Sequence, residues 1–169
     1  MPRLSGQRSL LGVVLLALAA VPASGKDGLG MFESWGAFRD PAVPRCYAVA
    51  MPRASRATRD YQPFASIGTW PRRAVRGQVH FRLSRKLAKD APVALGLGGK
   101  RYALTGGGGD AWARDKAMDA EIIAAMRSAR SMTVSSRDAR GRRFSDTYVL
   151  AGAATAMDAA TIGCARIKR

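Results

Sequence analysis

The chain contains two cysteines, Cys46 in its first third and Cys164 close to its C-terminus. Whether they pair depends on where the chain lives, and the first residues address that. Arg3 and Arg8 precede an apolar run from Leu10 to Val21, and Pro22, Ala23, Ser24 and Gly25 come next. A short basic region, an apolar stretch and small closing residues describe a secretory signal peptide, with cleavage after Ala23 or Gly25. The apolar run falls short of the roughly 20 residues a membrane-spanning helix needs. Residues 1–25 are therefore expected to be a leader and 26–169 a single exported domain, with no membrane span after cleavage. In an exported chain an even cysteine count reads as a disulfide. Closing so long a loop stabilises by up to about 4–5 kcal/mol in the chain-entropy model. The bridge is expected to tie the first strand to the last helix. A lone cysteine pair without C-x-x-C spacing, beside the chain's one histidine, argues against metal or redox chemistry. No metal, cofactor or catalytic residue is expected.

Charge is the second constraint. Lys and Arg total 28 against 12 Asp and Glu, a net charge of +16. Only Arg3 and Arg8 of these lie in the leader, so the excess persists. Such a surface attracts polyanions: nucleic acid, anionic lipid headgroups, or phosphorylated and carboxylated envelope polymers. Nucleic acid is not expected as the primary partner, because aromatic residues are sparse and no stacking platform is evident.

"RCYAVAMP" reads as a first strand over Cys46 to Met51, with Phe32, Trp35 and Phe38 anchoring the preceding segment onto a core. Arg53 to Tyr61 is expected to be an exposed connection, and "FASIGTWP" a strand stopped by Pro71. In "RGQVHFRLSRKL", Val79, Phe81 and Leu83 alternate with His80, Arg82 and Ser84, the pattern of a half-buried strand. His80 is thereby expected on the solvent face beside Arg82, without a partner. "APVALGLGGKRYALTG" predicts a hairpin turning at Gly98–Gly99.

Four glycines, Gly106 to Gly109, come after it. They lack the lysine and hydroxyl that complete a phosphate-cradling loop, and Asp110 stands where a phosphate would sit. They are expected to be a flexible connection into a helix that Asp110 caps. In that helix Trp112, Met118, Ile122, Ala125, Met126 and Ala129 form the apolar face. "SMTVSS" and "FSDTYVLAG" predict a second hairpin, with Asp146 in a hydrogen-bonding role. "ATAMDAATIGCA" predicts an alanine-rich helix carrying Cys164, before the basic tail Arg166 to Arg169.

In this order, "SWGAF", "RCYAVAMP", "AWARD", "IIAAMRSARSMTV" and "GRRFSDTYVLAGAATAMDAATIGCA" resemble the invasion-associated locus B family of alphaproteobacterial envelope proteins. The resemblance covers nearly all of the expected mature chain and is most specific in its C-terminal third. It implies a mainly β (α+β) fold: a compact antiparallel sandwich or barrel-like domain with one mid-chain and one C-terminal helix. It also implies periplasmic residence, surface-associated or secreted, and fits a Cys46–Cys164 link. The family name further implies a part in host interaction.

The expected function is that of a non-catalytic, disulfide-stapled envelope protein binding an envelope protein or an anionic envelope polymer. Arg72, Arg73, Arg76, Arg82 and Arg85, crowded along one stretch, are the expected contact surface. The alternative is a periplasmic hydrolase, which needs carboxylates among Asp110, Asp115, Asp119 and Asp146 to converge in a pocket.

Overall fold

The computed structural model describes residues 25–165. All of the expected leader but Gly25, and the tail Arg166–Arg169, lie outside the described residues. Within them the chain forms ten strands and two helices, a mainly β fold curled into a half-barrel. The strands are β1 (Asp27–Phe32), β2 (Trp35–Asp40), β3 (Arg45–Ala50), β4 (Phe64–Trp70), β5 (Val75–Arg82), β6 (Val93–Leu97), β7 (Lys100–Gly107), β8 (Asp110–Trp112), β9 (Ser131–Arg137) and β10 (Arg143–Val149). The helices are α1 (Lys116–Met126) and α2 (Ala153–Ala165). Every strand pairing is antiparallel, in the order β1-β2-β3-β4-β5-β8-β7-β6-β9-β10.

The first strand is not the one carrying Cys46: the β1–β2 hairpin precedes it. The aromatic residues there do anchor the segment. Trp35 is fully buried, and its indole N–H donates to the Val149 carbonyl at 2.9 Å. Alternation along β5 places Val79 and Phe81 inside, with Leu83 just beyond them. The β6–β7 hairpin turns at Gly98 and Gly99, whose φ angles of +58° and +77° suit a tight two-residue turn.

The glycine run is part of a hairpin rather than a flexible connection. Gly106 and Gly107 end β7, Gly107 pairs with Asp110, and β8 returns to lie against β5. A side chain on Gly109 would collide with the Tyr61 ring, so close approach explains that glycine. Asp110 is accordingly a strand residue and Trp112 lies on β8. The helix begins at Lys116, and Asp115 is its cap, accepting from the Met118 N–H at 2.8 Å. Both Asp110 and Asp115 precede helix-compatible residues, and cross-strand partners for Asp110 outcompeted a capping role. From α1, Met118, Ile122 and Met126 enter the core one turn apart.

Helix α2 packs across β1, β2 and β3. Its inward face is Ala153, Ala156, Met157, Ala160 and Cys164, and the strands beneath offer Ala37 and Ala48. Alanine on alanine permits close approach. The Cα atoms of Cys46 and Cys164 are 5.6 Å apart and their sulfurs are bonded across 118 positions. The disulfide therefore joins β3, not the first strand, to the last helix. No helix among the described residues is long and apolar enough to cross a membrane.

Candidate functional site

The β5–β8 ladder sets Arg82 opposite Asp110 and His80 opposite Trp112. Asp110 accepts from the Arg82 guanidinium, and its other oxygen lies 2.9 Å from His80 Nε2. Arg82 also rests 3.9 Å over the Tyr61 ring, while His80 stacks on Trp112 and meets Phe64 edge-on. His80 is thus half-buried and partnered, contrary to expectation, because its carboxylate arrives from 30 positions away. The cluster is a polar clasp that fixes the Tyr61 loop to two strands.

Arg85 is consumed in the same way. It donates to Asp138 at 3.0 Å and to the Thr58 carbonyl at 2.6 Å, and lies 3.4 Å from Asp60. Asp138, in the β9–β10 turn and nearly inaccessible, also accepts from the backbone N–H groups of Arg140 and Arg142 and from the Arg142 side chain. Burial alone would raise its carboxyl; those donors outweigh it and hold the pKa at about 2.

The remaining acids do not converge. Asp146 is buried and accepts from the Ser84 N–H at 2.9 Å, the hydrogen-bonding role expected of it. Burial pushes its pKa up against that bond. Asp119 accepts from the Val79 N–H at 2.8 Å, and burial raises its pKa as well. Asp110, Asp115, Asp119 and Asp146 each answer a different partner.

Beside the disulfide lies a cavity of about 790 Å³ between β4, β5, α1 and α2. Ile67, Ile123, Met157, Ala160 and Cys164 make it largely apolar, and Arg76 and Arg127 stand in its lining. Arg127 is paired with Asp158 at 2.6 Å, linking the two helices. Arg76 is exposed and makes no ion pair among the described residues. Arg72 and Arg73 project from the 3-10 turn between Pro71 and Ala74, both lining residues, and are equally exposed and unpaired. Arg76 therefore lines the cavity and Arg72 and Arg73 sit on the adjoining turn, while the fold sends Arg82 and Arg85 to separate acidic partners.

A second basic region escaped the sequence reading. Arg101, Arg137 and Arg143 line a cavity of about 520 Å³ with Ser135, Ser136 and Ser145. Counting register back from the β9–β10 turn would have exposed it, since Arg137 and Arg143 are cross-strand partners.

A family model described as Invasion associated locus B (IalB) protein matches residues 45–161. No curated protein and no solved structure matches. The matched stretch runs from the start of β3 into α2, taking in Cys46, the cavity floor and both arginine regions, and leaves the β1–β2 hairpin and Cys164 outside. The chain belongs to the Invasion associated locus B family.

Proposed function

We propose that the protein is a non-catalytic periplasmic or envelope-associated binding protein that engages an anionic envelope polymer or an acidic envelope protein. The observation that carries this reading is a set of exposed arginines without ion-pair partners beside the disulfide, with Arg76 lining a largely apolar groove and Arg72 and Arg73 on the turn between the lining residues Pro71 and Ala74. The guanidinium groups supply attraction, and the groove supplies apolar area for an anchor. Arg82 and Arg85 belong to the same proposed surface but contribute less, because Asp110, Asp60 and Asp138 already offset them. Family membership and the disulfide fit an envelope protein. A hydrolase needs two carboxylates facing one space. Asp110, Asp115, Asp119 and Asp146 are tied to separate partners, so no observation favours that reading.

The test is capture from an envelope extract at low and at high salt, comparing wild type with an Arg72→Ser/Arg73→Ser/Arg76→Ser protein. Wild type is expected to retain a partner at low salt and release it at high salt. The triple variant is expected to retain much less, with a flatter salt dependence because fewer counterions are displaced. Equal retention by both proteins, or none by wild type, overturns the proposal.

A further inference from the structure

The β9–β10 hairpin sets Arg137 directly opposite Arg143 and Ser135 directly opposite Ser145. Alternation settles the faces. Met132, Val134 and Ser136 of β9, with Asp146 and Tyr148 of β10, point inward and are buried, so Arg137, Ser135, Arg143 and Ser145 share the outer face. Like charges placed directly opposite across a ladder are destabilising. Neither arginine is relieved by an acid among the described residues. The two carboxylates of this hairpin are unavailable: Asp138 is held by Arg85 and Arg142, and Asp146 faces inward under Ser84.

The next strand deepens the arrangement. Ala94 of β6 pairs with Ser135, and Gly96 pairs with Thr133 on one side and with Arg101 of β7 on the other. β6 offers only the small residues Ala94 and Gly96 on this side, and Arg101 and the β9–β10 arginines line one cavity with Pro92. A side chain at Gly96 would touch only the Thr133 carbonyl, at 3.8 Å. No Asp or Glu lines the resulting 520 Å³ trough. Arg137 is steadied by donating one N–H to the Gly141 carbonyl at 2.9 Å. Phe144 also touches the cavity, but it stands opposite buried Ser136 and packs its side chain against the core.

We infer that this trough binds a water-soluble phosphate monoester, with Arg101, Arg137 and Arg143 meeting the phosphate and the Ser135 and Ser145 hydroxyls completing its donors. Guanidinium forks match tetrahedral oxyanions, and charge-assisted bonds of this kind are the strong ones. A bound anion also explains why two arginines face each other: it converts their repulsion into shared attraction. This rests on the reading that the protein contacts anionic polymers and names the ligand chemistry, but it uses a different face from Arg72, Arg73 and Arg76.

The test measures thermal unfolding and calorimetric titration with glucose 1-phosphate, at ionic strength matched with sodium chloride. Wild type, Arg143→Gln, Ser145→Ala and the Arg72→Ser/Arg73→Ser/Arg76→Ser protein are compared. Without ligand, Arg143→Gln is expected to melt at or above the wild-type temperature, because the opposed charge is gone. With ligand, wild type rises and Arg143→Gln does not, its affinity falling roughly ten- to hundredfold. Ser145→Ala is expected to weaken binding by a smaller factor, and the triple variant to bind as wild type does. Failure of wild type to respond, or an equal rise in wild type and Arg143→Gln, overturns the site. An equal loss in Arg143→Gln and the triple variant reduces the effect to net charge and also overturns it, leaving the proposed function standing. Variant-sensitive binding to phosphatidic acid vesicles, with none to glucose 1-phosphate, overturns the water-soluble ligand in favour of a lipid headgroup.

Discussion

The two ends of the curled sheet are held by different physics. At the β1–β4 end, α2 lies flat on small side chains and a disulfide joins it to β3. At the β6–β10 end the outer face carries arginines and serines, and the β9–β10 turn closes on the buried carboxylate of Asp138. Both ends share the apolar core, to which β6, β9 and β10 give Leu95, Val134 and Tyr148, but one end adds a covalent tie and the other a turn closed on a buried charge. A net charge summed over the chain hides this difference. Arg85 and Arg142 share Asp138, with Asp60 also beside Arg85, while Arg137 and Arg143, one residue outside that turn's first and last contacts, are left facing each other. What matters for binding is which arginines the fold leaves unspent.

Removing the bridge is expected to have the largest effect. A Cys46→Ala/Cys164→Ala protein should lose about 2–5 kcal/mol of stability in denaturant titration. Hydrogen exchange should accelerate in β3 and α2 and change little in β9 and β10. Equal loss of protection at both ends would mean that they form one cooperative unit and would break the comparison.

Next in size is the joint between the ends. Trp35→Phe keeps most of the apolar bulk but removes the donor to Val149, leaving a buried carbonyl unmatched. The expected cost is about 1–3 kcal/mol, read by chemical denaturation. A cost near zero would show that the two ends meet without that bond.

The most specific change concerns acid. The Asp138 pKa lies at about 2, below the ordinary 3.8. Its contribution to stability is complete above the ordinary value and is lost as pH falls through about 2. Asp138→Asn should therefore flatten the pH dependence of unfolding across that window. Asp146 acts with opposite sign, because burial raises its pKa: stability falls as pH rises through its titration. Asp146→Asn should remove that decline while keeping an acceptor for Ser84. Unfolding curves between acid and neutral pH separate the two, and indistinguishable curves would remove charge from the account of this end.

Much of the fold was legible because its signals are local. Val79, Phe81 and Leu83 declare a strand by alternation, Gly98–Gly99 declares a tight turn, and Met118, Ile122 and Met126 declare a helix face at one-turn spacing. The β1–β2 hairpin was not legible as strands, since its glycines and aromatics do not alternate cleanly, although Trp35 was recognisable as an anchor. Asp110 misled for another reason. Its environment is made by Arg82 and His80, which are distant in sequence and adjacent only once β8 has folded back onto β5. The same distance hid the partner of His80.

The candidate sites divide along that line. Sequence alone supplied the abundance of arginine, the two sulfurs and the polar and apolar alternation, all properties of a residue and its near neighbours. Only the tertiary structure decided that Arg82 and Arg85 would be paired with acids, that Arg76 would line a groove beside the disulfide, and that Arg137 would confront Arg143. Coulomb interactions depend on separation in space. In an antiparallel sheet, register and strand order set that separation.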